Sequence, residues 1–341
     1  MVSPDAAADA AAEGDPIERM QPAEPIDVDN VVDYGEELHE LELPPPPRSG
    51  FRLVVPPRTL DPGVERRTCV AWPLPAMRRH IVYAARLYTT PGLHHSNVIA
   101  TPVDPDLGPQ PFPDCRPDAS DPYEHLDEDV VPDVLFANST QVEGAETVVF
   151  PAGHGFRLDP SREVITSLHL LNPSDEPQRV EIAYDFFTMP EESLTDEIAP
   201  FVVNVDHFSV GVGETEEVGG ACDVFGGAIA TLMPHTHQYA TDFTVEALAG
   251  GAVVDVLYDG GAYDLESDIQ VFEPPRSLEG VDQIAVRCTF ANTSDHPLVR
   301  GIGDNEMCIL FGYVTPPSAQ FFGDIPLTGR SCLSVPLAQD P

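Results

Sequence analysis

Two short groups of histidine in this chain could bind a metal ion. One is the adjacent pair His94-His95, and the other is His235-Thr236-His237. Residues two apart in a strand point to the same face, so His235 and His237 can reach one ion. Histidine is the commonest metal ligand near neutral pH. A single pair of this kind also occurs by chance on a solvated face, so the pattern indicates a metal site only if other ligands accompany it.

The adjacent pair needs a further condition. Neighbouring residues of a regular strand face opposite sides, so His94 and His95 can bind together only if the strand bends, and Gly92 just upstream permits a bend. The alternative is one buried and one exposed histidine. His169 lies inside a strand-like run and, taken alone, is typical of a hydrogen-bonded core histidine.

Met307, in the run Glu306-Met307-Cys308, offers a different ligand type. Its thioether is a soft donor that suits Cu(I) better than zinc or magnesium. Methionine more often fills gaps in a hydrophobic core, and that interpretation stays open for Met307 when it is taken alone.

The elements that must position these residues are predicted to be strands. Short runs rich in Val, Ile, Phe, Tyr and Thr recur, for example at 51–57, 163–172, 284–292 and 306–314, and 37 prolines and 25 glycines separate them. No long amphipathic helix pattern is visible. The fold class is therefore all-β, with two tandem antiparallel β-sandwiches.

The length of 341 residues fits two domains of about 150 residues and a tail. We expect an acidic tail rich in proline and alanine at 1–47, a first sandwich at 48–193 and a second at 194–341. The tail is predicted to be disordered because it has too few apolar anchors to fold alone. No strong internal sequence repeat is visible.

The net charge of −40, from 57 acidic and 17 basic residues, argues against nucleic acid and anionic membranes as partners. It is typical of life in salt, or equally of an acidic proteome. No apolar run reaches the roughly 20 residues of a membrane helix. The N-terminus does not look like a signal peptide. We therefore expect either a cytosolic protein or numbering that starts after a removed export signal, which would also have removed any anchor.

The six cysteines bear on that choice. None forms a CxxC pair, so a zinc knuckle or a thioredoxin motif is not indicated. Six cysteines fit three disulfides, with about 15 pairings in principle. Disulfides would favour an oxidising compartment. Buried free thiols in a cytosolic protein are the alternative.

Taken in chain order, these motifs resemble a known family. The order is HH, a strand histidine before Asn-Pro-Ser, HTH and EMC. It resembles the type II, ascorbate-dependent copper monooxygenases, the peptidylglycine alpha-hydroxylating and dopamine beta-hydroxylating family, over about residues 51–335. The resemblance implies jelly-roll-like sandwiches and two copper ions per chain, with ascorbate or another reductant as electron donor.

Carried over by position, the resemblance assigns two metal sites. His94, His95 and His169 match a three-histidine electron-transfer copper. His235, His237 and Met307 match the catalytic copper, where oxygen reacts. The family arrangement implies that the two coppers lie apart across a solvent gap, and the sequence leaves open whether they approach each other on closure.

The resemblance also pairs the cysteines within each domain, as Cys69 with Cys115, Cys222 with Cys332, and Cys288 with Cys308. It therefore favours an extracytoplasmic protein, whether periplasmic, secreted or tethered to a surface.

The chain departs from the family at the substrate site. Peptide-amidating members hold a substrate carboxylate with an Arg two residues before HTH, and with Asn and Tyr just after the methionine-cysteine pair. Here those pocket positions hold Met233, Ile309 and Phe311. Burying a carboxylate there unpaired would be costly, so we expect a smaller, apolar substrate and not a peptidylglycine.

The sequence therefore predicts a monomeric copper monooxygenase that uses O2 to hydroxylate a C–H bond of a small molecule. A non-catalytic extracytoplasmic copper-binding protein is the main alternative. A structural or carbohydrate-binding sandwich with incidental histidines is a second.

Overall fold

A computed structural model describes most of the chain between residues 37 and 322. The described residues are 17, 31–32, 37–72, 80–102, 133–138, 142–158, 162–205, 207–262, 269–301, 305–317, 320–322, 331–333 and 335–336.

Strands account for nearly all of the regular structure in these ranges. The N-terminal half contains β1 (Val31–Val32), β2 (Gly50–Leu60), β3 (Glu65–Trp72), β4 (His80–Thr89), β5 (Leu93–Pro102), β6 (Asp133–Ala137), β7 (Gly144–Val149), β8 (His154–Leu158), β9 (Arg162–Leu171), β10 (Gln178–Thr188) and β11 (Asp196–Glu197). A single 3-10 turn, Glu191–Ser193, lies between β10 and β11.

The C-terminal half continues the strand pattern. It contains β12 (Ala199–Val205), β13 (Ser209–Val210), β14 (Thr215–Phe225), β15 (Ala228–His235), β16 (Ala240–Ala249), β17 (Ala252–Gly260), β18 (Gln270–Ser277), β19 (Gln283–Ala291), β20 (Leu298–Val299), β21 (Cys308–Thr315), β22 (Gln320–Phe322), β23 (Ser331–Leu333) and β24 (Val335–Pro336). The all-β prediction is thus confirmed. The described residues hold no helix with the length and apolar character needed to cross a membrane.

Each half forms two main sheets. In the N-terminal half, a seven-stranded sheet has the order β1-β2-β10-β4-β8-β11, with β7 also on β4, and a four-stranded sheet has the order β3-β9-β5-β6. In the C-terminal half, a five-stranded sheet has the order β18-β15-β21-β12-β23. A six-stranded sheet has the order β17-β16-β19-β14-β22, with β24 also on β14, and β13 pairs with β20.

Strand partners change between Glu197 and Ala199. β11 pairs in parallel with β8 of the N-terminal half, whereas β12 pairs antiparallel with β21. Among the described strands, every sheet lies wholly before or wholly after this point.

The two halves nevertheless share a packed surface. Along β21, Cys308, Leu310 and Val314 belong to the core of the C-terminal half, while Tyr313 and Phe311 pack on the core of the N-terminal half. The alternation follows from the two-residue period of a strand. The Tyr313 hydroxyl donates a hydrogen bond to the carbonyl of Leu135, on β6. One face of the five-stranded sheet therefore joins the two halves.

A turn with the pattern Asn-x-Ser follows the corresponding strand in each half. After β9, Asn172 donates to the carbonyl of Glu176 and accepts from Ser174. After β19, Asn292 donates to the carbonyl of His296 and accepts from Ser294. The two turns thus share the same pattern of hydrogen bonds.

The described parts of the predicted tail contact the folded body. Ile17 is buried against Ile81 and Phe187, and β1 pairs with β2. The backbone amides of residues 39–41 donate to the buried carboxylate of Glu181. This segment has few apolar residues, and the hydrogen bonds that its backbone donates to the body hold it in place.

Candidate metal centre

Five histidines from the two halves form one cluster. Their ring centroids are separated by 4.7 Å for His94 and His169, 4.8 Å for His95 and His169, and 5.4 Å for His94 and His95. His235 and His237 are 5.4 Å apart. They meet the other three at 5.5 Å, through His94 with His237 and His95 with His235. The two motif groups are therefore brought together.

A β-bulge places both members of the adjacent pair in this cluster. Leu93 pairs with Leu170 and His95 pairs with His169, so the ladder from β5 to β9 skips His94. An extra residue bends the strand and redirects its side chains. Because of this bulge, His94 and His95 both contact His169, instead of facing opposite sides of the sheet.

The HTH segment is held differently from the expected strand geometry. β15 ends at His235, so His237 lies after the strand. The buried carboxylate of Glu306 accepts hydrogen bonds from the backbone amides of His237, Tyr239 and Met307. This carboxylate fixes the turn that returns the ring of His237 towards His235.

A carboxylate determines which ring nitrogen of His169 carries the proton. Its Nε2 lies 2.7 Å from Oε1 of Glu65, and its Nδ1 lies 3.1 Å from Nε2 of His95. An ionised carboxylate only accepts hydrogen bonds, so Nε2 of His169 carries the proton. The lone pair of Nδ1 then points at His95. A carboxylate that orients a histidine in this way is common behind metal ligands.

His237 is oriented by a backbone carbonyl. Its Nδ1 donates to the carbonyl oxygen of Asn305 at 2.9 Å, which leaves the lone pair on Nε2. That Nε2 is buried and has no hydrogen-bond partner among the described residues, and the same is true of both ring nitrogens of His94. Leaving a buried polar atom unpaired costs about 1–3 kcal/mol, which a bound metal ion would offset.

All five rings are held in the neutral form that ligation requires. Burial, followed by the neighbouring His169 and His237, lowers the pKa of His94 to about 3. Burial, followed by Arg67 and His237, lowers the pKa of His169 to about 4. Burial is also the largest cause that lowers the pKa values of His95, His235 and His237. The cluster therefore offers lone pairs at neutral pH.

Met307 lies next to the HTH turn. The ladder between β15 and β21 ends at the pair His235 and Ile309, and Met307 directly precedes β21. Met307 is buried, and its amide shares the Glu306 carboxylate with His237. The backbone of Met307 is thus placed beside the HTH turn.

The donor atoms are close but not fully arranged for a metal. No three His, Cys, Asp or Glu side chains within the described ranges form a ready-made metal-binding group. Binding would therefore require the imidazole rings to rotate. The χ2 torsion of histidine is broad, and the ring nitrogens of His94 have no hydrogen-bond partner among the described residues that rotation would break.

The predicted pocket positions form an apolar surface beside the cluster. Met233 pairs with Phe311 and His235 pairs with Ile309 in the same ladder. The rings of His235 and Phe311 are 6.2 Å apart. Met233 and Ile309 are buried, and Met233 belongs to the core shared between the halves. The surroundings of His235 are therefore apolar on this side.

One predicted disulfide is confirmed. Cys288 and Cys308 are bonded and connect β19 to the first residue of β21. Cys69 and Cys222 are also disulfide-bonded. The side chains of their predicted partners, Cys115 and Cys332, lie outside the part of the chain that the structure describes.

The sequence analysis did not identify three groups that position the histidines of the cluster. Glu65 and the Asn305 carbonyl orient histidines, and Glu306 holds the HTH turn. Glu306 was visible as the neighbour of Met307, but nothing local showed that its carboxylate is buried. Glu65 lies more than 100 positions from His169, so no motif spacing could reveal this pair.

Comparison with known proteins adds little. No family model matches the chain, and no curated protein matches it. Among solved structures, the chain is similar to the major capsid protein P2 from Bacteriophage PM2, at 11% identity over 74% of this chain and 97% of that one, with a TM-score of 0.28. A TM-score this low supports no conclusion about function.

Proposed function

We propose that this chain is a copper-dependent monooxygenase built from two tandem jelly-roll-like sandwiches. It would use O2 and a reductant such as ascorbate to hydroxylate a C–H bond of a small, apolar substrate. The observation that carries the proposal is the convergence of His94, His95, His169, His235 and His237 in one buried cluster. These are the histidines of the family resemblance, and they come from distant parts of both halves.

The ligand chemistry favours copper over other metals. Five neutral imidazoles suit copper, and the thioether of Met307 would add a soft ligand, whereas magnesium and calcium prefer oxygen ligands. When bound, copper supplies one-electron redox chemistry and activation of O2. The unpaired nitrogens of His94 and His237 support a metal ion at this place.

The residues of the chain have separate roles in this proposal. Glu65 and the Asn305 carbonyl hold the protons of His169 and His237 away from the metal. Met307 supplies the soft ligand beside His237. The apolar surface of Met233, Ile309 and Phe311 excludes water and favours an apolar substrate over one with a carboxylate.

Disulfide bonds support an extracytoplasmic location, because they persist in oxidising compartments. The net charge of −40 supports a partner other than nucleic acid. O2 and a small molecule are the partners we propose, for a monomeric protein.

A non-catalytic copper-binding protein is the second candidate. The deep burial of His94, His169 and His237 favours it, since a store protects its metal from solvent. The two candidates make the same prediction for metal content and differ only in turnover.

The test is oxygen incorporation. Copper-loaded protein is supplied with ascorbate, 18O2 and a panel of small apolar substrates. We expect oxygen uptake coupled to an 18O-labelled alcohol, and loss of both in His235→Ala. The matched control is His296→Ala, which alters a partly exposed histidine beside Asp295, outside the cluster. Tight copper binding without product would favour the non-catalytic protein, and no copper binding would refute both.

A further inference from the structure

We propose that the two coppers form a single dinuclear centre in which the histidines of both halves are in direct contact. This inference rests on the copper binding of the proposed function. It departs from the arrangement that the resemblance implies, in which a solvent gap separates the two ions.

The three histidines of the N-terminal half have the spacing of ligands to one ion. Two imidazoles bound to a tetrahedral ion through nitrogens at roughly 2 Å place their ring centroids about 5 Å apart. The three centroid distances among His94, His95 and His169 are 4.7, 4.8 and 5.4 Å. The triangle is closed, so rotation of the rings can direct all three at one point.

The histidines of the C-terminal half meet that spacing as a pair. His235 and His237 have centroids 5.4 Å apart, and the backbone amide of Met307 donates to the same Glu306 carboxylate as that of His237. These three residues form the second ligand group.

The decisive feature is the distance between the two groups. His94 and His237 are 5.5 Å apart, as are His95 and His235. These separations match those within each group. His95 also stacks near His237, at 6.4 Å and an interplanar angle of 26°. Rings in contact leave no space for a solvent layer between two ions that they bind.

Charge near the cluster is suited to two cations. Glu65 contacts the N-terminal group through His169, and Glu306 contacts the C-terminal group through the backbone of His237. Each ligand group therefore has one carboxylate beside it, and neither carboxylate is needed as a ligand. Buried cations require nearby negative charge of this kind.

The halves are also packed too closely to hold the groups apart. The Tyr313 hydroxyl bonds to Leu135 across the halves, and Met233 lies in the core that they share. Separating the ligand groups would break this surface.

The test is electron paramagnetic resonance of the whole chain loaded with Cu(II), without reductant or substrate. We expect two coppers per chain and a spectrum altered by spin–spin interaction, with a half-field transition or fewer than two integrated spins. The double variant His235→Ala/His237→Ala should bind one copper and give an ordinary isolated signal. The control His296→Ala should retain the interacting spectrum.

Three results would overturn the inference. They are two coppers whose spectrum is the sum of two isolated signals, a single copper per chain, or none. The wild-type spectrum decides without any variant, so misfolding of a variant does not obscure the result. The measurement does not depend on turnover, so it tests the dinuclear centre even if the protein hydroxylates no substrate. Active enzyme with two isolated coppers would refute only the dinuclear centre.

Discussion

The imidazole rings of His94 and His237 lie 5.5 Å apart with their planes tilted by 54°, although they come from opposite halves of the chain. Each ring has a buried nitrogen without a hydrogen-bond partner among the described residues. Ring nitrogens without hydrogen-bond partners among the described residues therefore meet at the junction between the two halves.

Replacing Met307 by isoleucine should remove the soft ligand while keeping an apolar side chain of similar size. We expect loss of turnover and weaker Cu(I) binding beside His237, with copper retained by the three histidines of the N-terminal half. Copper content and 18O incorporation measure the two effects. Met189→Ile, at a buried methionine in a different cluster, is the control. Normal hydroxylation by Met307→Ile would show that the ligand assignment is wrong.

Replacing Glu65 by glutamine should remove the charge that fixes the proton on His169. We expect the copper affinity of the N-terminal group to fall about 10- to 100-fold, the usual effect of losing a carboxylate behind a metal ligand. Competition with a Cu(I) chelator measures this affinity. Glu216→Gln, at an exposed position of β14 in the C-terminal half, should change nothing. Equal affinities in both variants would remove Glu65 from the centre.

Replacing Glu306 by glutamine should disturb the turn that holds His237. In the wild type, backbone N–H groups donate to both oxygens of the Glu306 carboxylate. Glutamine replaces one of these oxygens by an NH2 group, which donates and cannot accept a hydrogen bond. We expect weaker copper binding by His235 and His237, with the N-terminal group unaffected, as judged by metal titration and circular dichroism. The control is Glu279→Gln, at an exposed glutamate. Unchanged titration curves would show that the carboxylate does not position this turn.

The stability of the metal-free protein should fall as the pH is lowered from 6.5 to about 4. The pKa values of His94 and His169 are lowered to about 3 and 4 by burial and neighbouring charge. The unfolded chain therefore binds protons in this range before the folded chain does. Burial raises the pKa of Glu306 to about 7, so that group acts in the opposite direction between pH 4.5 and 7.

The measurement is the melting temperature in the presence of a chelator, from pH 7 to 4.5. The variant His94→Gln/His169→Gln should lose less stability over this interval than the wild type. Comparison of the two chains cancels the titration of all other groups. Parallel curves would mean that these histidines are not held neutral in the fold.

Removing the disulfide between Cys288 and Cys308 should destabilise the C-terminal half. The bond closes a segment with a sequence separation of 20 residues, for which the loss is about 3 kcal/mol in free energy of unfolding. The double variant Cys288→Ser/Cys308→Ser, measured by chemical denaturation, should show this loss. A reducing agent should lower the free energy of unfolding more in the wild type than in the variant, because the variant lacks this bond.

Local patterns were sufficient for the strands and for the identities of the candidate ligands. The runs at 51–57, 163–172 and 284–292 lie within β2, β9 and β19 or extend one residue beyond them. Alternating β-branched and aromatic residues bounded by proline and glycine specify a strand locally. The pairing of Cys288 with Cys308, which the family resemblance implied, is present.

The sequence could not predict that the candidate ligands lie close together. The sequence by itself determined that the protein is all-β and acidic, and that it carries histidines and a methionine suited to copper. Only the tertiary structure decided that the histidines of both halves meet, that a bulge turns His94 and His95 to the same place, and that Glu65 and Glu306 stand behind them. The physical reason is that strand patterns depend on neighbours along the chain, whereas a site between two packed halves depends on contacts between residues far apart in sequence.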